Sequence, residues 1–138
     1  MSTILTPADF ADAEKYYYIP IRMDIVSDKA AEKDIKRLLG VIEFSQEKFC
    51  SFFGITETQI ETLQKQEALK YFTFAEWLKS EYVSKTPQGT GSKPQLVKGT
   101  PTYDIQKYVN SMNFAIRTMN KDLSKETQKK ELKSFLNY

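Results

Sequence analysis

The chain has 138 residues, of which 41% are hydrophobic and 28% charged, a balance typical of a folded protein and not of a disordered one. With no histidine and a single cysteine, Cys50, the sequence excludes histidine-based catalysis, an internal disulfide and a thiolate metal cluster. We expect one domain over residues 1–138, with no catalytic group, cofactor or metal.

The start of the chain lacks a basic-then-apolar signal segment, and no apolar run approaches the roughly 20 residues that span a bilayer. We therefore expect a soluble, intracellular protein with no membrane partner.

The formal net charge of +2 conceals an asymmetry between the two parts of the chain. Residues 1–84 hold 10 basic and 14 acidic side chains, whereas residues 85–138 hold 10 basic and 4 acidic ones. Such an arrangement favours head-to-tail contact between copies or a basic surface facing nucleic acid. Two solvated surfaces of different composition would give the same pattern.

The N-terminal region predicts a short helix followed by an extended segment. Thr6 has the position of an N-cap, with Pro7 as the first helical residue and Asp9 reaching back, and the helix should end near Lys15. The aromatic and β-branched residues that follow predict an extended segment near residues 16–26, and Pro20 confines it to an edge.

Two helices, or one long one, are predicted next. Ser27 is the expected cap of a helix that carries Ile35, Leu38 and Leu39, and Gly40 either ends it or is tolerated within a longer helix. The apolar period continues to Phe53, and Gly54 is the next candidate C-cap.

A capping box formed by Thr56 and Gln59 predicts that another long helix begins there. The core stripe expected along it comprises Ala68, Tyr71, Phe72, Ala75, Leu78 and Tyr82. Phe74 and Trp77 lie on a second face, so this helix is either central in the domain or covered by another subunit.

Residues 85–102 break the helical period and predict a long protruding loop or hairpin. This stretch holds three of the five glycines, three of the five prolines and three lysines, with no acidic residue. Loops of this length inside a domain are usually functional or disordered.

The period of Ile105, Tyr108, Val109 and Met112 predicts a clear helix after Thr100, and Ser124 should cap a final one. The fold class expected is therefore all-α: a compact bundle of five or six helices with the extended segment and the long loop.

Candidate catalytic groups are few. The carboxylate pairs Glu43 with Glu47 and Glu57 with Glu61 share helix faces, but a solvated face explains them better than acid and base chemistry. Cys50 lies among phenylalanines, where a thiol usually behaves as a small core residue. An enzyme using carboxylates or tyrosine is a distant third possibility.

Residues 45–63 resemble the helix-turn-helix of phage repressors. Gln46 and Glu47 open a helix, Cys50 is the small residue, Gly54-Ile55-Thr56 forms the turn, and Ile60 is apolar. The resemblance implies a DNA-binding regulator, yet Glu57 and Glu61 would repel the phosphates.

A second resemblance covers about 110 residues. The elements are Thr6-Pro7-Ala8-Asp9-Phe10, Tyr18-Ile19-Pro20-Ile21, a charged helix, Phe52-Phe53-Gly54, the aromatic helix 68–78, the loop 86–91 and a last long helix with Lys107 and Asn113. In this order they are similar to the head completion or head-to-tail adaptor proteins of the neck of tailed bacteriophages.

This resemblance implies a helical, non-catalytic structural protein that assembles as a ring beneath the portal. Its implied partners are the portal, tail or neck proteins, other copies of itself and, without sequence specificity, packaged DNA. It implies a virion protein made in the cytoplasm of the bacterial host. The residues expected to contact a subunit or partner are Tyr16, Tyr17, Tyr18, Lys85, Pro87, Gly89, Gly91, Lys93, Leu96, Val97 and Lys98.

Overall fold

The structure, a computed structural model, describes residues 3–20, 29–85, 100–121, 123–126 and 128–132. These residues form three α-helices: α1 (Lys29–Phe53), α2 (Leu63–Lys85) and α3 (Thr100–Asn120). Two short 3₁₀ helices lie at Pro7–Phe10 and Glu57–Gln59. The prediction of a mainly helical protein is confirmed, and this part of the chain contains no strand, but it does not show five or six helices.

One reason why the structure has fewer helices than predicted is that Gly40 lies inside α1 and does not end a helix. The two helices considered on either side of it are one continuous helix of 25 residues. A side chain added at Gly40 would meet no atom within 4 Å, so nothing packs closely against this position. Glycine in a helix interior costs only about 0.5–1 kcal/mol, which the packing of the rest of α1 exceeds.

Gly54 ends α1 as predicted. Its φ of 66° is in the left-handed region, and the Ile55 N–H donates to the Cys50 carbonyl at 3.0 Å. This is the Schellman arrangement, in which the residue after the glycine bonds back across the last turn.

The capping box at Thr56 is present, but the long helix does not begin there. The Thr56 N–H donates to the Gln59 side chain at 2.7 Å, and only the three residues Glu57–Gln59 form a 3₁₀ turn. The long helix begins at Leu63, where the Lys65 N–H donates to the Thr62 hydroxyl at 3.2 Å. The second helix that a helix-turn-helix needs is therefore absent from residues 56–62.

The first helix is also shorter than predicted. Its capping box is formed, since the Thr6 N–H donates to Asp9 Oδ2 at 2.7 Å, but the helix is a single 3₁₀ turn, Pro7–Phe10. The Asp12 carboxylate then accepts the Glu14 N–H at 3.0 Å, and this local bond competes with continuation of the helix.

The extended segment predicted near 16–26 does not begin at residue 16. The Tyr18 N–H donates to the Lys15 carbonyl at 3.1 Å, so residues 15–18 form a turn. The chain then passes Phe10, whose carbonyl accepts the Ile19 N–H at 2.8 Å. Residues 21–26 lie outside the described part of the chain.

α2 is the central helix of the described fold and packs against both α1 and α3. Phe72, Phe74 and Trp77 are all buried, which confirms that α2 is covered on two faces. Tyr71 and Leu78 are only partly buried, and the side chain of Tyr82 lies outside the described residues.

No helix follows Ser124 in the described residues. After one turn, closed by the Gln128 N–H donating to the Ser124 carbonyl at 3.0 Å, residues 128–132 run back along α3. Asn120 and Asn113 of α3 bind the backbone of Lys129 and Leu132, so these backbone groups do not need helical partners.

The loop predicted over residues 85–102 is shorter at both ends. Lys85 is the last residue of α2, and Thr100 is the first of α3, so residues 100–102 are helical. Pro101 lies in the first turn of α3, where the absence of an N–H costs nothing. Residues 86–99 lie outside the described part.

Candidate functional site

An open groove lies between α1 and α2 on the described surface. Its volume is about 680 Å³, and it is lined by Arg37, Gly40, Val41, Phe44, Glu76, Lys79 and Ser80. We refer to it as the α1–α2 groove.

The shape of the groove follows from two positions on α1. Gly40 presents only its backbone, and the space where a side chain would lie is empty for 4 Å. One turn later, the Phe44 ring lies at the edge of the groove with 55% of its surface exposed. Together with Val41, this ring gives the groove an apolar lining that another molecule can cover.

The charged residues of the groove are held in defined places. The Arg37 guanidinium lies 4.2 Å from the centre of the Trp77 ring, a cation–π contact. Glu76 is 5% exposed, and its carboxylate pairs with Lys48 Nζ at 2.7 Å. Lys48 balances Glu76, and the exposed Lys79 places a further basic side chain on the α2 side of the groove.

Among the predicted contact residues, Tyr16 lies on a different surface. Its ring packs edge to face against Phe74 of α2 and Phe114 of α3, with ring centres 5.9 and 5.2 Å apart. The helical period places Phe74 on roughly the opposite side of α2 from Glu76 and Ser80. Tyr16 therefore packs the N-terminal segment against α2 and α3, on a surface that does not include the groove.

Tyr17 and Tyr18 have different environments. Tyr17 is 2% exposed, and its hydroxyl donates to Glu67 Oε2 at 3.3 Å, so it packs within its own chain and offers almost no surface to a partner. Burial, with the nearby Glu67 carboxylate, raises the pKa of Tyr17 to about 12. Tyr18 is 36% exposed and is available for contact.

The other predicted contact residues are not placed. Lys85 ends α2, but its side chain lies outside the described residues, as do the seven further positions. These are Pro87, Gly89, Gly91, Lys93, Leu96, Val97 and Lys98.

Sequence reasoning missed Leu63, the most exposed large hydrophobic residue of the described chain. It is 85% exposed and is the first residue of α2. The predicted helix from Thr56 would have made Leu63 an internal helical position. Because the chain forms only a short 3₁₀ turn at Glu57–Gln59, and Thr62 caps a helix that begins at Leu63, this side chain lies at the exposed start of α2, next to the exposed Glu61. We refer to this end of α2 as the Leu63 corner.

The possible catalytic groups have the environments of structural residues. Burial raises the pKa of the Cys50 thiol, which disfavours the reactive thiolate. Glu43, Glu47 and Glu61 are exposed, and Glu57 is partly buried. In the described residues no three side chains of the metal-ligating types come together, and no described helix is long and apolar enough to cross a membrane.

Comparison with known proteins gives no assignment. No protein-family model matches the chain, and neither a curated protein nor a solved structure is detectably similar to it.

Proposed function

We propose that the chain is a non-catalytic structural protein that joins the portal to the tail in the neck of a tailed bacteriophage, as a ring of identical copies. The observation that supports self-association is the α1–α2 groove with the exposed Phe44 ring at its edge. Exposed apolar surface of this kind has a cost in water that burial against another subunit removes.

The assignment to a phage neck comes from the resemblance of the element order to that of head completion proteins. The absence of histidine from the sequence fits a protein whose work is contact rather than catalysis. The portal, tail and neck proteins are its proposed partners, and the virion its proposed location. We also propose that residues 85–102, which hold three lysines, form an arm that contacts a neighbouring copy or packaged DNA.

The alternative, a helix-turn-helix regulator, has less support. Its recognition helix would begin at Thr56, where the chain forms only a three-residue 3₁₀ turn. The side chains at that turn include Glu57, whose charge opposes DNA phosphates.

Size-exclusion chromatography with light scattering distinguishes the two functions. The adaptor proposal predicts an oligomer of one defined stoichiometry, and Phe44→Ser should shift it toward the monomer. Glu43→Gln, a change at the adjacent exposed position, is the matched control and should leave the oligomer unchanged. A monomer or dimer that retards a DNA duplex, with binding that weakens steeply as salt rises, would overturn the proposal in favour of the regulator.

A further inference from the structure

The α1–α2 groove and Leu63 are complementary in their chemistry. The groove offers the apolar surfaces of Val41 and Phe44, whereas Leu63 is an apolar side chain with 85% of its surface in water. At about 680 Å³ the groove is larger than a leucine side chain, so it has room for the adjoining backbone as well.

Their charges are complementary too. Lys79, an exposed basic residue, lines the groove, while the segment that leads into Leu63 carries the carboxylates of Glu57 and Glu61. These two acidic residues outnumber Lys65, the nearest basic residue after Leu63 in the sequence. Opposite charges at an interface select the partner and its orientation.

The two features lie too far apart to meet within one copy. Leu63 begins α2, whereas the groove contacts α2 at Glu76, Lys79 and Ser80, which a continuous helix places about 20–25 Å away. The helical period also turns Leu63 to roughly the opposite side of α2 from these residues. Any contact between them must therefore join two molecules.

We propose that Leu63 of one copy, with Glu57 and Glu61 beside it, inserts into the α1–α2 groove of a second copy. The inference rests on the self-association in the proposed function and specifies its contact. Made once between two copies, the contact is heterologous because the two surfaces differ, and the pair keeps one free groove and one free Leu63 corner. Repetition of such a contact generates a ring when the rotation closes.

Cysteine cross-linking tests the contact directly. One variant carries Gly40→Cys and another Leu63→Cys, both with Cys50→Ala, and the two are mixed under mild oxidation. A disulfide requires Cα atoms within about 7 Å, so only insertion of residue 63 beside residue 40 of another copy produces the mixed dimer. The control pairs Leu63→Cys with Leu39→Cys, since Leu39 is exposed on a different side of α1 and does not line the groove.

Sedimentation measurements test the energetics. Leu63→Asp should weaken association at least tenfold, because it removes the apolar group and adds a charge. Glu61→Lys and Lys79→Glu should each weaken it, and the double variant should recover most of the loss. Gly40→Trp should block the groove and Gly40→Ala should not, and circular dichroism should show all variants folded.

The outcomes separate the two proposals. The mixed disulfide together with the loss in Leu63→Asp supports both. If the wild-type chain assembles, but Leu63→Asp assembles equally well and the mixed disulfide does not form, the Leu63 contact is wrong and self-association stands. If the wild-type chain stays monomeric at every concentration and gives no cross-link, both are overturned.

Discussion

Asn113 and Leu132 are joined by two hydrogen bonds: the Leu132 N–H donates to Asn113 Oδ1 at 2.7 Å, and Asn113 Nδ2 donates to the Leu132 carbonyl at 2.9 Å. Asn120 binds Lys129 in the same way, at 3.0 and 2.9 Å. Seven residues of helix and three residues of extended chain both span about 10 Å, so the spacing of the asparagines matches the backbone they hold.

Asn113→Ala should release the end of this segment. Two hydrogen bonds of about 0.5–1.5 kcal/mol each are lost, so the free energy of unfolding should fall by about 1–3 kcal/mol. Hydrogen exchange at the Leu132 amide should accelerate. The matched control is Asn110→Ala, since Asn110 is exposed and its amide accepts a hydrogen bond from Gln106 of the same helix. Equal exchange rates at Leu132 in both variants would contradict this role of Asn113.

Phe72→Ala should be among the most destabilising single changes. The Phe72 side chain is 1% exposed and packs edge to face against Phe49, with ring centres 5.4 Å apart. Its removal leaves a cavity at the α1–α2 contact and should cost roughly 3–5 kcal/mol in denaturant unfolding. An unchanged unfolding midpoint would show that this side chain is not enclosed.

The two described glycines should respond to alanine in opposite directions. Gly54→Ala forces a side chain into a left-handed conformation, so the free energy of unfolding should fall by about 1–2 kcal/mol. Gly40→Ala, in the interior of α1 with open space around it, should raise it by about 0.5–1 kcal/mol. Thermal unfolding of the two variants beside the wild type checks both signs, and a stabilising Gly54→Ala would refute the cap.

Stability should fall in strongly alkaline solution. Burial raises the pKa of Tyr17 to about 12, so between pH 10 and 12 the unfolded chain has lost this proton while the folded chain keeps it. The unfolded state then binds fewer protons, and the free energy of unfolding decreases as pH rises, by at most about 1.4 kcal/mol per pH unit for this group. Tyr17→Phe should make the slope shallower. An identical slope in the variant would show that Tyr17 is not the group responsible.

The sequence predicted those parts of the fold that depend on interactions between residues close together in the chain. The Thr6 and Thr56 capping boxes, the cap at Gly54 and the central place of α2 were all predictable, because each depends on neighbouring residues or on helical period. What a cap cannot predict is how far its helix continues. Both boxes open only 3₁₀ turns, since the length of a helix depends on tertiary packing.

The remaining differences between the prediction and the structure depend on contacts between residues that are far apart in the sequence. Within the described residues, the helix expected after Ser124 is replaced by a segment bound to Asn113 and Asn120, partners that no local pattern identifies. The α1–α2 groove likewise depends on two helices meeting about 40 residues apart, and the exposure of Leu63 depends on where α2 begins. The prediction of Tyr16, Tyr17 and Tyr18 as contact residues rested on aromatic composition, which could not separate the two exposed tyrosines from the buried Tyr17.

Electron microscopy of the purified wild-type chain, at a concentration where light scattering detects assembly, tests the central claim most directly. The account predicts closed rings of identical copies in which each α1–α2 groove faces the Leu63 corner of its neighbour. Particles that are only monomers, or dimers related by a two-fold axis with both grooves empty, would contradict it.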